Sequence, residues 1–167
     1  MSQDKWNAAD YNQQSSAQTK WAQELVSKLD LQGHERLLDI GCGTGRITSS
    51  FAQQLPNGTV VGIDSSAEMI DFAQKEYQQQ NLHFFYMDAS AINLDYTFDI
   101  AFSNAVLHWI KDHESVLRGV RQHMKPDGKI LFQMGGQGNA LDVIDAVNEI
   151  IKQPSWSDYF TDFEFPY

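Results

Sequence analysis

Gly41, Gly43 and Gly45 alternate with Cys42 and Thr44 directly after the apolar run Leu37-Leu38-Asp39-Ile40. Glycine reaches positive φ without steric cost and carries no Cβ to hold a ligand away, so glycines repeated after a strand predict a loop whose backbone closely approaches a ligand. Asp64 closes a second apolar run, Thr59-Val60-Val61-Gly62-Ile63. A carboxylate about 20 residues beyond such a loop lies where nucleoside-binding sheets hold ribose hydroxyls. Glycines in a turn are a weak signal alone; with Asp64 they point to a nucleoside cofactor.

The spacing narrows the choice. It is G-x-G-x-G, and Arg46 stands where a dinucleotide fingerprint has its third glycine. A pyrophosphate needs that glycine to open the helix N-terminus to it. No Gly-Lys-Ser or Gly-Lys-Thr follows, which removes a Walker-type phosphate loop. A cofactor with a ribose but no phosphates satisfies all of these observations, and S-adenosylmethionine is such a cofactor.

These residues require a scaffold that delivers them to one edge. Apolar runs predict strands near residues 35 to 40, 59 to 64, 82 to 87, 98 to 103 and 128 to 134. Between and around them lie stripes at helical spacing: Trp21-Leu25-Leu29, Ile47-Phe51-Leu55, Ile70-Ala73-Tyr77, Val116-Val120-Met124 and Leu141-Ile144-Val147-Ile151. Such stripes face a core by default. The alternation predicts an α/β fold with a doubly wound, mostly parallel sheet and helices on both faces.

Composition agrees. With 167 residues and 42% hydrophobic, the chain is long enough for a single core, and it shows no repeat or linker that would split it. A net charge of -10 argues against nucleic acid as partner, because such partners are held by basic faces. The single cysteine, Cys42, has no disulfide partner, and its simplest role is a small residue between glycines; a cytoplasmic location is the expectation. No apolar run approaches the roughly 20 residues of a membrane span, so no membrane partner is expected. His34, His83, His113 and His123 share no ligand spacing, and no metal is assigned.

The segment from Leu37 to Arg46 resembles motif I of the class I S-adenosylmethionine-dependent methyltransferases, and later segments continue the resemblance in order. Asp64 with Ser65 resembles the ribose-binding acidic position. Met87-Asp88-Ala89, after Leu82-His83-Phe84-Phe85-Tyr86, resembles the place where an aspartate reads the adenine amino group. Phe98-Asp99-Ile100-Ala101-Phe102-Ser103-Asn104 resembles the motif IV strand and its exit, and Lys125-Pro126-Asp127-Gly128 the turn into the fifth strand. The resemblance implies cofactor-binding roles for Asp39, Gly41, Cys42, Gly43, Gly45, Asp64, Ser65, Asp88, Ala89 and Asn104. Family members close the sheet with two further strands, whereas this sequence stops at Tyr167 before both. The expectation is therefore one domain over residues 1–167, C-terminally truncated and lacking the last two strands, with Ile130-Leu131-Phe132 as an apolar edge.

Substrate clues lie in two places. Tyr11 is followed seven residues later by Gln18, which is similar to juvenile hormone acid methyltransferases, and Asn104-Ala105-Val106-Leu107-His108-Trp109-Ile110 is similar to that group and to trans-aconitate methyltransferases. The resemblance implies a small carboxylic acid as substrate. A carboxylate with pKa near 4 is already a nucleophile at neutral pH and needs orientation rather than a base. Gln18 and Trp109 carry neutral N–H donors that can hold its second oxygen without strongly stabilising a charge about to disappear. Tyr11 can place its ring against the cationic sulfonium. His108 carries the alternative: as general base it suits a hydroxyl or carbon acceptor whose proton must leave. A module that binds the cofactor without catalysis is a further alternative, and a nicotinamide oxidoreductase is disfavoured by the glycine spacing. The strand exit also lacks the Asn-Pro-Pro-Tyr pattern of adenine methyltransferases.

Overall fold

The computed structural model of the chain describes residues 24–136 and 138–163. Five strands form in chain order, β1 (Arg36–Ile40), β2 (Thr59–Asp64), β3 (Leu82–Tyr86), β4 (Phe98–Asn104) and β5 (Met124–Gln133). The helices are α1 (Arg46–Gln54), α2 (Ala67–Glu76), α3 (His113–His123) and, after β5, α4 (Leu141–Ile151). The sheet has the order β3-β2-β1-β4-β5, and every neighbouring pair is parallel. This is the expected doubly wound α/β sheet.

A parallel strand covered on both faces is apolar in nearly every position, and in β1 Leu37, Leu38 and Ile40 follow this rule while Asp39 is a buried exception. Leu37, Leu38 and Ile40 are wholly buried. Their alternation feeds two cores. On one face Leu37, Val60, Ile100 and Phe102 meet Phe51 and Ala52 of α1 and Ile70 and Ala73 of α2; Phe51 and Phe102 pack edge to face at 4.9 Å. On the other face Leu38, Ile40, Val61, Ile63 and Ala101 meet Val116 and Val120 of α3. Each buried Leu, Val, Ile or Phe among these contributes roughly 2 kcal/mol of transfer free energy. Helix starts are set locally: the Ser66 hydroxyl accepts the Met69 N–H, and Asp112 accepts both the N–H and the hydroxyl of Ser115.

Three local expectations differ from the structure. Met124 does not extend α3; it opens β5 opposite Phe98. The expected turn at Lys125-Pro126-Asp127-Gly128 is absorbed into β5 as an irregularity, because Phe98 pairs with Met124 but Ile100 with Lys129. Lys125 Nζ then lies 2.7 Å from Asp99 Oδ1, and the Arg36 N–H donates to Asp99 Oδ2 at 2.8 Å, so the amino ends of β1, β4 and β5 are pinned together. The third difference concerns α4. The chain divides into two compact units, the first ending at Met134 and the second beginning at Gly135. In the second unit α4 forms over its apolar stripe, yet none of its residues is buried. Among the described residues of this unit, the other element is the turn at Ser157–Tyr159.

On β5, Leu131 and Phe132 pack against opposite cores, while Ile130 is 52% exposed. Trp21 lies outside the described residues. No described helix is long and apolar enough to cross a membrane.

Candidate cofactor and acceptor site

The strand order reverses direction between β1 and β4. Loops leaving the carboxyl ends of those strands diverge toward opposite faces, and open α/β sheets bind ligands in the crevice this creates. The glycine loop leaves β1 and the segment Ala105–Ile110 leaves β4, so the topology brings both clusters of expected residues to one crevice.

The loop stays tied to the sheet beyond β1, because the N–H groups of Gly41 and Cys42 both donate to the Ile63 carbonyl, at 2.8 and 3.0 Å. Its glycines serve different purposes. A Cβ on Gly41 would overlap the methyl groups of Val106, and one on Gly45 would lie 2.6 Å from Phe84 Cζ and 2.9 Å from Ala73 Cβ. Those two glycines are required by packing. Gly43 has φ +53°, and a Cβ there would meet nothing within 4 Å among the described residues. Its backbone faces open space, which is what close approach to a ligand requires.

Asp64 braces this open position. Its Oδ2 accepts the Gly43 N–H at 2.9 Å and its Oδ1 accepts the Ser66 N–H at 2.8 Å. Burial raises its pKa above the usual 3.8, against the opposing pull of the Ser66, Gly43 and Ser65 N–H groups. Ser65 itself is exposed. Asp39, 3% exposed, points to the α1 face, where Thr48 donates its hydroxyl to Oδ2 at 2.7 Å. Burial pushes the Asp39 carboxyl up to about 7; the Thr48 bond opposes this and the charge of Asp64 adds to it.

The sign of the resulting pH dependence follows from linkage. Between the unfolded pKa near 4 and the folded value of about 7, the folded chain holds a proton the unfolded chain has lost, so stability falls as pH rises through that window. Asp39→Asn, which keeps an acceptor for Thr48 and removes the charge, is expected to raise the melting temperature at pH 8 by about 5 °C and to change it little at pH 4. Thermal unfolding at the two pH values measures this directly.

Cys42 turns into the core, 9% exposed; a Cβ on Gly62 would lie 2.9 Å from its own Cβ. Burial first, then the charges of Asp39 and Asp64, pushes the thiol well up. Only the backbone of Cys42 is left to meet a ligand. Asp88 is exposed after β3 and caps a short turn, its Oδ1 accepting both the N–H and the hydroxyl of Ser90 at 2.8 Å, while Ala89 is buried beneath it.

Across the crevice Asn104 is half-buried at the end of β4, opposite Gln133. Ser103 donates its hydroxyl to the Ile40 carbonyl at 2.9 Å, locking the end of β4 to that of β1. Ala105 then takes φ +58°, a left-handed conformation that costs a non-glycine residue about 1 kcal/mol. The strained turn leads to Leu107–Trp109, a single helical turn whose Leu107 is buried and whose Leu107 carbonyl accepts from His113 Nε2 at 2.7 Å. His108 and Trp109 have ring centroids 5.1 Å apart, and Trp109 is 46% exposed. Burial lowers the His108 pKa below 6.5, which favours its neutral form at neutral pH. Tyr11 and Gln18 lie outside the described residues.

Two contributors escaped the sequence reading. Thr48 could have been found as a hydroxyl inside the apolar spacing of α1; Val106 carried no signal, because its importance rests on the positive φ of an alanine. The residues present fit a nucleoside-type ligand: an open glycine backbone, a braced carboxylate and a second, deeper one.

Comparison with known proteins agrees with the geometry. A family described as "Methyltransferase domain" matches residues 38–130. The chain is 36% identical over 129 residues to the trans-aconitate 2-methyltransferase of Deinococcus radiodurans, covering 77% of this chain and 49% of that protein. It is 33% identical over 134 residues to the malonyl-[acyl-carrier protein] O-methyltransferase of Bacillus anthracis, covering 78% of this chain and 50% of that protein. The chain thus spans about half the length of these curated relatives. Among solved structures, a TehB-like SAM-dependent methyltransferase from Corynebacterium glutamicum superposes with a TM-score of 0.63 at 22% identity, covering 84% of this chain and 82% of that one.

Proposed function

The chain belongs to the methyltransferase-domain family, and from that premise we propose that it is a class I S-adenosylmethionine-dependent methyltransferase that transfers a methyl group to a small-molecule acceptor, with a carboxylate oxygen the favoured nucleophile. One observation carries the reading: the open backbone at Gly43, braced by Asp64, shares the β1–β4 crevice with the turn bearing His108 and Trp109. The acceptor preference draws on the two relatives whose names specify an acid or acyl group, trans-aconitate and malonyl.

S-adenosylmethionine supplies a methyl group on positively charged sulfur, ready for in-line displacement. The residues of the chain bind and orient. Asp64 offers carboxylate oxygens to ribose hydroxyls while its bonds to Gly43 and Ser66 hold it still. Asp88 offers an acceptor to the adenine amino group, and Asn104 lines the crevice. On this reading Trp109 and Gln18 would supply neutral N–H donors for the acceptor, and Tyr11 an aromatic ring for the sulfonium. A second reading, a hydroxyl or carbon acceptor with His108 as base, draws on the neutral imidazole that burial favours.

Calorimetry of the full chain with S-adenosylmethionine and S-adenosylhomocysteine tests the cofactor, with binding in the micromolar range expected, near -8 kcal/mol. Mass spectrometry after incubation with a panel of small carboxylic acids tests the acceptor, methyl esters being the expected products. A folded chain that binds neither cofactor form rejects the reading. Binding without transfer to any acceptor favours the non-catalytic module.

A further inference from the structure

The cofactor loop and the acceptor-side turn touch at Val106. A Cβ on Gly41 would overlap both Val106 methyl groups, so the absence of a side chain at Gly41 is filled by the side chain of Val106. Three bonds make this contact rigid. The Ala105 N–H donates to the Gln133 carbonyl at 2.8 Å, anchoring the left-handed residue to β5; the Val106 carbonyl accepts the Trp109 N–H at 2.9 Å; and the Gly41 N–H is held by Ile63 at 2.8 Å. Val106 is thus fixed to the glycine loop through its side chain and to Trp109 through its backbone.

Resting on the reading of the crevice as a methyl-transfer site, we propose that Val106 is a positioning residue that transmits the state of the glycine loop to the His108–Trp109 turn. Methyl transfer is sensitive to sub-ångström misplacement of nucleophile against electrophile, so a contact that sets the height of one loop on the other bears on turnover. Close packing makes the coupling steep: a gap of 0.5–1 Å already forfeits about a quarter to a half of each contact. A branched side chain with restricted χ1 suits the role better than a flexible one.

The test reads transmission without needing an acceptor. The indole N–H resonance of Trp109, identified by its loss in Trp109→Phe, is followed by NMR while S-adenosylhomocysteine is titrated into the full chain. A ligand-dependent shift is expected in the wild type and in Val106→Thr, which preserves the shape, and at least a threefold smaller shift in Val106→Ala with S-adenosylhomocysteine affinity within about threefold of wild type. A shift of full size in Val106→Ala, or binding in the wild type without any shift, overturns the proposal and leaves the cofactor reading intact. Failure of the wild type to bind S-adenosylhomocysteine is a different result: it removes the cofactor reading and the transmission with it. If Val106→Ala does not fold, loss of the shift in Val106→Thr despite preserved binding also overturns the proposal.

Discussion

Asp64→Ala is expected to weaken S-adenosylhomocysteine binding at least 100-fold, and Gly43→Val to abolish measurable binding, in chains that remain folded. For Asp64 the size follows from the two ribose hydroxyls its carboxylate is proposed to hold. Hydrogen bonds to a charged group contribute about 1.5–3 kcal/mol each, and the ribose presents two hydroxyls; losing both acceptors costs at least about 2.7 kcal/mol, the equivalent of 100-fold. The substitution also leaves the Gly43 and Ser66 N–H groups without the acceptor that aims them. For Gly43 the cause is steric. Its φ of +53° is poorly reached by a β-branched residue, and the added side chain projects into the space kept open for the ligand. The contrast with Gly41 sharpens the test. Alanine at Gly43 meets no atom of the described residues within 4 Å, whereas alanine at Gly41 collides with Val106. Gly43→Ala, which bears only the strain of a left-handed φ, about 1 kcal/mol, should therefore impair binding while lowering the melting temperature by a few degrees, and Gly41→Ala, which adds the collision with Val106 to the same strain, should lower it further. Calorimetry paired with thermal unfolding separates the two; equal effects of both glycines on stability and binding would return Gly43 to a mere turn residue.

The sheet was legible because parallel strands buried on both faces announce themselves as continuous apolar runs. Val60-Val61-Gly62-Ile63 and Ile100-Ala101-Phe102-Ser103 each lie in strand where that rule puts them. The boundary at Met124 was not legible, since an apolar residue one turn after Val120 fits a helix as well as a strand, and only pairing with Phe98 decides it. The stripe of α4 read as core-facing because periodicity reports that a helix is amphipathic and not whether anything covers it. At the site, the glycine spacing and Asp64 were legible as a pair, but the division of labour among the glycines was not. That division depends on Phe84, Ala73 and Val106, residues far away in sequence that arrive only when the sheet forms. Gly62 offered a missed clue: a glycine inside an apolar strand signals close approach, here of the Cys42 side chain.

On the acceptor side, Trp109→Phe is expected to lower turnover about tenfold with cofactor affinity unchanged, while His108→Ala lowers it less than tenfold. Phenylalanine keeps an aromatic face but is smaller than the indole, so the first substitution removes one N–H donor together with some contact area, and a hydrogen bond contributing about 1.4 kcal/mol more to the transition state than to the ground state equals a factor of ten. His108 separates the two readings of the chemistry. A carboxylate nucleophile is ionised throughout pH 6 to 8 and gains nothing from a base. A hydroxyl or carbon acceptor must surrender its proton, and loss of a general base then costs roughly 100- to 10,000-fold. The pH profile carries the same distinction. Burial lowers the His108 pKa below 6.5, so an essential histidine base would be neutral and active at pH 7 and would lose activity only as pH falls through that lowered value. For an acid acceptor the profile between pH 6 and 8 should show no inflection that disappears in His108→Ala. A collapse of turnover in His108→Ala, with the acid limb vanishing from the profile, would move the acceptor from a carboxylate to a group whose proton this histidine removes.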